Sequence, residues 1–166
     1  MLNRRELLKL SGAASVASLL PGISSAKCPT PKGPFRFCFN TSTIMGQNPG
    51  LLAAIEIAAN AGYDGLELWI NDIKNYIKQG NSIESLAKFI SSKGLVVENL
   101  ISFTAWMVDD DTKRKAALVD LEEEMKLMVV LGCRRIAAPP AGVEKDKPLD
   151  FQKAGARYRE ILELGR

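Results

Sequence analysis

Histidine is absent from this chain of 166 residues, so no imidazole ligand for a metal can come from it. Cysteine is scarce: Cys28, Cys38 and Cys133 form an odd set without CxxC spacing, which indicates neither a zinc knuckle nor a disulfide framework. No internal disulfide is expected, and a buried, inert role is expected for Cys38 and Cys133. Charge of one sign is not in excess. The chain carries a net +3, of which Arg4, Arg5 and Lys9 against Glu6 account for +2, leaving about +1 for the rest. That balance supplies no basic stripe, which argues against nucleic acid as a partner. No run is long and apolar enough for a stable membrane span, because the stretch from Leu10 to Ile23 is short and rich in Gly, Ser and Ala. Nor does a glycine-rich phosphate loop follow the first strand, where Asn40-Thr41-Ser42-Thr43-Ile44 stands instead. An open doubly wound sheet binding a nucleotide is thereby disfavoured.

What is present is ordinary soluble composition, 46% apolar and 25% charged, in a length that suits one domain. Residues 1–26 are set apart. Asn3-Arg4-Arg5-Glu6-Leu7-Leu8-Lys9, the apolar run and the small residues ending Ser24-Ser25-Ala26 resemble a twin-arginine export signal, with cleavage expected near Ala26 and a periplasmic or otherwise exported destination. Lys27 before Cys28 speaks against a lipoprotein anchor. Residues 27–34, rich in Pro, Lys and Gly, form a linker, and 35–166 the folded part.

From Phe35 onward the chain runs four times from a β-prone apolar stretch into an amphipathic helix. Parallel strands need such crossovers, and eight units of about 250 residues make a (β/α)8 barrel. The expected fold is therefore α/β, the first four βα units of a TIM barrel, with the other units and the active site expected elsewhere. In unit one, alternation puts Phe35, Phe37 and Phe39 against helices and Cys38 and Asn40 on the inner face. Asn48-Pro49 reads as N-cap and first-turn proline of a helix carrying Leu51, Ile55 and Ala58 inward and ending at Gly62.

Unit two, Gly65-Leu66-Glu67-Leu68-Trp69, sends Leu66 and Leu68 outward and Glu67 and Trp69 inward. An inward carboxylate must be paired, hydrogen-bonded or wet, so Glu67 is either a satisfied structural anchor or part of a polar pocket. An Asn81-x-x-Glu84 box, the face Ile83, Leu86, Ala87 and Ile90, and Gly94 delimit the next helix. Unit three spans Leu95 to Phe103 and leads through Trp106 to Asp109-Asp110-Asp111, read as a helix cap rather than as metal ligands. Phe103 and Trp106 lie at or beyond the strand's C-terminal end, as one wall of a pocket or as core. The helix that follows is expected to turn Leu118, Leu121, Met125, Met128 and Val129 inward and to pair Glu122 with Lys126. Unit four begins at Gly132-Cys133, and its helix, starting near Asp150, uses Ala154, Tyr158 and Ile161.

The passages GYDGLELW and MVVLGCRRIAAPPAG, with the loop between them that enters an acidic-capped helix, resemble the xylose isomerase-like barrel family of sugar and sugar-phosphate isomerases and epimerases. The resemblance implies metal-assisted proton transfer next to a sugar carbonyl, with Mn or Mg held by two Glu, one Asp and one His from strands five to eight. None of those ligands can be carried over, so no catalytic residue and no metal ligand is assigned. Glu67 matches the family's inward strand-two glutamate, and Trp69, Phe103 and Trp106 match positions that shape a sugar pocket. With Asn40 these are the candidate substrate-binding residues. The chain by itself is expected to bind no metal and to be inactive, and to pair with a second half or a second copy. The alternative is a non-catalytic half-barrel that dimerises as a sugar-binding or structural module. A DNA-repair endonuclease on the same barrel is disfavoured by export, near-neutral charge and the missing histidine.

Overall fold

A computed structural model describes residues 33–144, 146 and 148–166. The expected export signal and cleavage point, Cys28 and most of the expected linker lie outside them. Among the described residues four strands, β1 (Cys38–Asn40), β2 (Gly65–Trp69), β3 (Val96–Ile101) and β4 (Ile136–Ala137), form one parallel sheet in the order β1-β2-β3-β4. Among the same residues the α-helices are α1 (Leu51–Asn60), α2 (Ile70–Lys78), α3 (Ile83–Ser92), α4 (Asp111–Val130) and α5 (Phe151–Leu164). Consecutive parallel neighbours joined through helices are the arrangement expected of an arc of a (β/α)8 barrel.

One face of the sheet meets the helices. Leu66, Leu68 and Leu100 are fully buried there together with Ile55, Ile73 and Leu86. A second apolar cluster, Trp106, Met107, Leu121, Met125 and Ile161, closes the β4 end. Glu67 and Trp69 lie on the opposite, half-buried face, as alternation requires. Gly62 and Gly94 end α1 and α3 at φ of +84° and +73°, a backbone region that costs glycine nothing. Asp110 caps α4, accepting from Lys113 N at 3.0 Å, in accord with the capping role of the acidic run.

Several local expectations are corrected. Phe35 and Phe37 are 75% and 65% exposed, because β1 begins only at Cys38 and, of the three phenylalanines, only Phe39 reaches the core. Cys38 is exposed rather than buried, whereas Cys133 is buried, and both are free thiols. A 3₁₀-helix spans Thr41–Gln47, and Asn48, in the left-handed region at φ 49°, closes it. Gly50, not Asn48, is the N-cap of α1. Between β2 and β3 stand two helices instead of one, and α3 is capped by Ser82, which accepts from Ser85 N at 3.1 Å. Asn81 instead donates to Tyr76 O at 3.0 Å, at the end of α2. On α4 the inward stripe is Ala117, Leu121, Glu124 and Met125, which turns Val129 out to solvent. On α5, Arg157 and Ile161 are buried while Tyr158 is half exposed.

Candidate functional site

The polar residues of the inner face converge on one rung of the sheet. Asn40 pairs in register with Glu67, and Glu67 with Asn99. The second match depends on an irregularity in β3: Leu66 pairs with Val97, yet Glu67 pairs with Asn99, leaving Glu98 as an extra residue. Without that bulge two carboxylates, Glu67 and Glu98, would stand side by side; with it a carboxamide takes the place.

The result is a carboxylate clamped from both sides. Asn99 Nδ2 donates to Glu67 Oε1 at 2.6 Å, and Asn40 Nδ2 donates to Glu67 Oε2. Asn40 is itself oriented, because its Oδ1 accepts from Ser42 N at 2.8 Å as the cap of the 3₁₀-helix, and the Trp69 indole N–H approaches the same oxygen at 3.5 Å. Hydrogen bonds to an ionised acceptor are the stronger kind, so Glu67 is held as a fixed acceptor. Beside this rung the rings of Trp69 and Phe103 stack with centroids 5.2 Å apart and planes 26° from parallel. Phe103 is half exposed, so the stack offers an open aromatic surface next to a polar rung at the C-terminal ends of the strands.

Trp106 belongs elsewhere. Only 4% exposed, it packs with Leu121, Met125 and Ile161, and its indole N–H donates to Pro139 O at 2.9 Å, so it takes the core alternative. Asn99, which sequence reasoning did not single out, joins the site in its stead. Counting back from the outward Leu100 would have placed it inward, but the alternation read forward from Val96 fails at the bulge.

Two further networks support the loops around the site. Glu124, buried on α4, accepts from Lys74 Nζ at 2.5 Å and Thr104 Oγ1 at 3.0 Å, and also from Ser102 Oγ. It thereby fixes the chain leaving β3. Asp109 accepts from Lys153 and Arg157, and Arg157 Nη1 also donates to Met107 O at 2.6 Å, tying the β3–α4 loop to α5. The hydrogen bonds from Lys153 and Arg157 hold the Asp109 carboxyl below its usual pKa. At the other end of the strands Glu98 meets Arg135 at 3.0 Å and Arg36 at 3.9 Å. Partial burial, then the charges of Glu67 and Glu98, raise the Cys38 thiol, and burial raises Cys133. Both shifts disfavour the thiolate form.

These residues do not fit a divalent metal. A Mn or Mg site needs several converging oxygen or nitrogen donors, whereas the rung offers one carboxylate whose two oxygens already accept from carboxamides. Among the described residues no group of three His, Cys, Asp or Glu side chains is placed to hold an ion.

A parallel sheet in sequential order, helices on one face, and polar and aromatic groups gathered at the C-terminal strand ends of the other define the α/β barrel class. More narrowly, the chain belongs to the xylose isomerase-like TIM barrel family, whose model matches residues 55–166. No curated protein gave a significant match. Among solved structures, the IolI protein with a bound zinc atom superposes with a TM-score of 0.67 at 20% identity, over 78% of this chain and 46% of its own. The probable 3-DHS dehydratase AsbF from Bacillus anthracis gives 0.64 at 17% identity, over 79% and 48%. D-psicose 3-epimerase with D-tagatose from Clostridium cellulolyticum H10 gives 0.55 at 18%, over 69% and 42%. At such identities the likeness concerns the fold, and this chain spans less than half the length of each of the three.

Proposed function

We propose that this chain supplies the sugar-facing first half of an isomerase or epimerase barrel. The observation that carries the proposal is the Glu67 carboxylate, fixed by Asn40 and Asn99 beside the Trp69–Phe103 stack. An aromatic surface suits the C–H face of a sugar, and a rigid acceptor beside it suits the hydroxyls. The family and the epimerase among its structural neighbours support the reaction class, proton transfer beside a sugar carbonyl. Neither a metal set nor an acid/base pair can be assembled from the described residues, so those groups come from a complementary half, and this chain alone turns nothing over. Twin-arginine export is part of the same proposal, on the strength of residues 1–26.

The test is a titration of the purified chain with monosaccharides and their phosphates, D-tagatose among them, followed by tryptophan fluorescence, with epimerase assays run in Mn. A saturable fluorescence change that disappears in Trp69→Ala, together with background turnover, is the expected outcome. A response retained in Trp69→Ala removes the site, and robust turnover by the chain alone removes the division of labour.

A further inference from the structure

The two chain segments that carry the Trp69–Phe103 stack run on, beyond β2 and β3, into a cleft of about 410 Å³ between α2 and the N-terminal half of α4. Ile70 and Asn71, which follow Trp69, line it, and so do Phe103 itself and the Thr104 and Ala105 that follow it. Successive Cα atoms are ~3.8 Å apart, so the cleft begins within one or two residues of the stack on both segments. All of its lining comes from the second and third units, and neither sheet edge borders it. From α4 it receives one helix face, since Lys113, Ala117, Asp120 and Glu124 recur at i, i+4, i+7 and i+11. The polar groups in it are of both kinds. Glu124, 3% exposed, is engaged by Lys74, Ser102 and Thr104, but the Lys74 ammonium has three N–H donors and Glu124 takes one. Lys113 Nζ, the Asn71 carboxamide and the Asp120 carboxylate have no partner among the described residues. Two lysines against two carboxylates leave the cleft without net charge.

We propose that this cleft is a second sugar subsite: the ligand whose first ring lies on the Trp69–Phe103 stack continues through a glycosidic bond into a neutral second ring lodged between α2 and α4. The proposal rests on the sugar reading of the stack and adds the class of ligand, a disaccharide or larger glycoside in place of a free monosaccharide or its phosphate. A ring hydroxyl both donates and accepts, and the cleft offers both functions, with N–H donors on Lys74, Lys113 and Asn71 and acceptors on Asp120 and Asn71. A phosphate dianion only accepts, and it would bring its charge against Asp120 and Glu124. Ile70, Ala116 and Ala117 supply apolar surface for the C–H groups of the ring, and the volume lies in the range of small-molecule sites.

Titration of the full chain, followed by tryptophan fluorescence, with D-glucose, D-galactose and D-fructose, each beside a disaccharide that contains it (cellobiose, lactose, lactulose), and with glucose 6-phosphate tests it. A disaccharide is expected to bind roughly tenfold or more tighter than its monosaccharide, through a response that Trp69→Ala abolishes. Lys113→Ala and Asp120→Ala, both at exposed positions, should each bring that ratio of affinities down several-fold. Ala116→Phe, also exposed, narrows the cleft and should bring the ratio to about one, with far-UV circular dichroism unchanged in all three variants. Equal affinities for monosaccharide and disaccharide, both lost in Trp69→Ala, keep the stack as a sugar site and overturn the second subsite alone. Tighter binding of glucose 6-phosphate than of glucose, lost in Lys113→Ala, overturns it in favour of an anion site. A disaccharide preference that none of the three cleft variants moves overturns it as well, by putting the second ring elsewhere. Absence of any response dependent on Trp69 removes the sugar reading and the subsite with it.

Discussion

A lone carboxylate on the inner face of a sheet is tolerated only with partners, and the partners of Glu67 explain why asparagine stands at both neighbouring positions of its rung. A carboxamide donates without adding charge, whereas lysine would neutralise the acceptor and leucine would leave it bare. Replacing Asn99 by Leu strips Glu67 Oε1 of its donor; the half-buried carboxylate regains some water, so the loss of stability should be about 1 kcal/mol, read from urea denaturation. The double variant Asn99→Leu, Glu67→Leu should recover most of that loss, because it removes the orphaned charge along with its partner. Glu67 was legible in the sequence as an inward residue in need of satisfaction. Its satisfaction through Asn99 was not, since the bulge that aligns them leaves no local signature in Val96-Val97-Glu98-Asn99.

Element boundaries follow from caps, and here competing caps decided them. Asp110 was identifiable from three successive aspartates ahead of an apolar-periodic helix, and it caps α4 as that pattern predicts. Asp110→Ala should cost ~1 kcal/mol, measured as a fall in the thermal midpoint. Where two capping residues adjoin, local sequence does not choose: Ser82 caps α3 while Asn81 bonds to Tyr76 O, and tertiary packing of α2 selects between them. Helix α2 itself starts directly after Trp69 with no side-chain cap, so no capping residue announces its start, and its sequence signal is the i, i+3, i+7 spacing of Ile70, Ile73 and Ile77. Gly65 shows the same limit in β2. A Cβ there would stand 2.9 Å from Glu98 Cγ, a closeness created by the bulge on the neighbouring strand and invisible from β2 alone.

Across the molecule the third and fourth units are held together by the Asp109, Lys153 and Arg157 cluster. Because the folded-state pKa of Asp109 is lowered from 3.8, its contribution to stability is present above the unfolded value and is lost as pH falls below about 4 through the folded pKa. Asp109→Asn should lower stability at neutral pH, where that contribution is present, and flatten the fall in the acid window, so that the two curves converge at still lower pH, as followed by urea denaturation monitored by circular dichroism at each pH. Hydrophobic periodicity and glycine stops by themselves determined the alternation of strands and helices, the parallel order and the outward leucines, since those depend on residues a few positions apart. Which polar groups share a rung, that Trp106 is core while Phe103 is open, and that Phe35, Phe37 and Val129 face solvent were decided only by the tertiary structure. Each of those depends on register and on which neighbouring element arrives to cover a surface, and both are set by residues far apart in the chain.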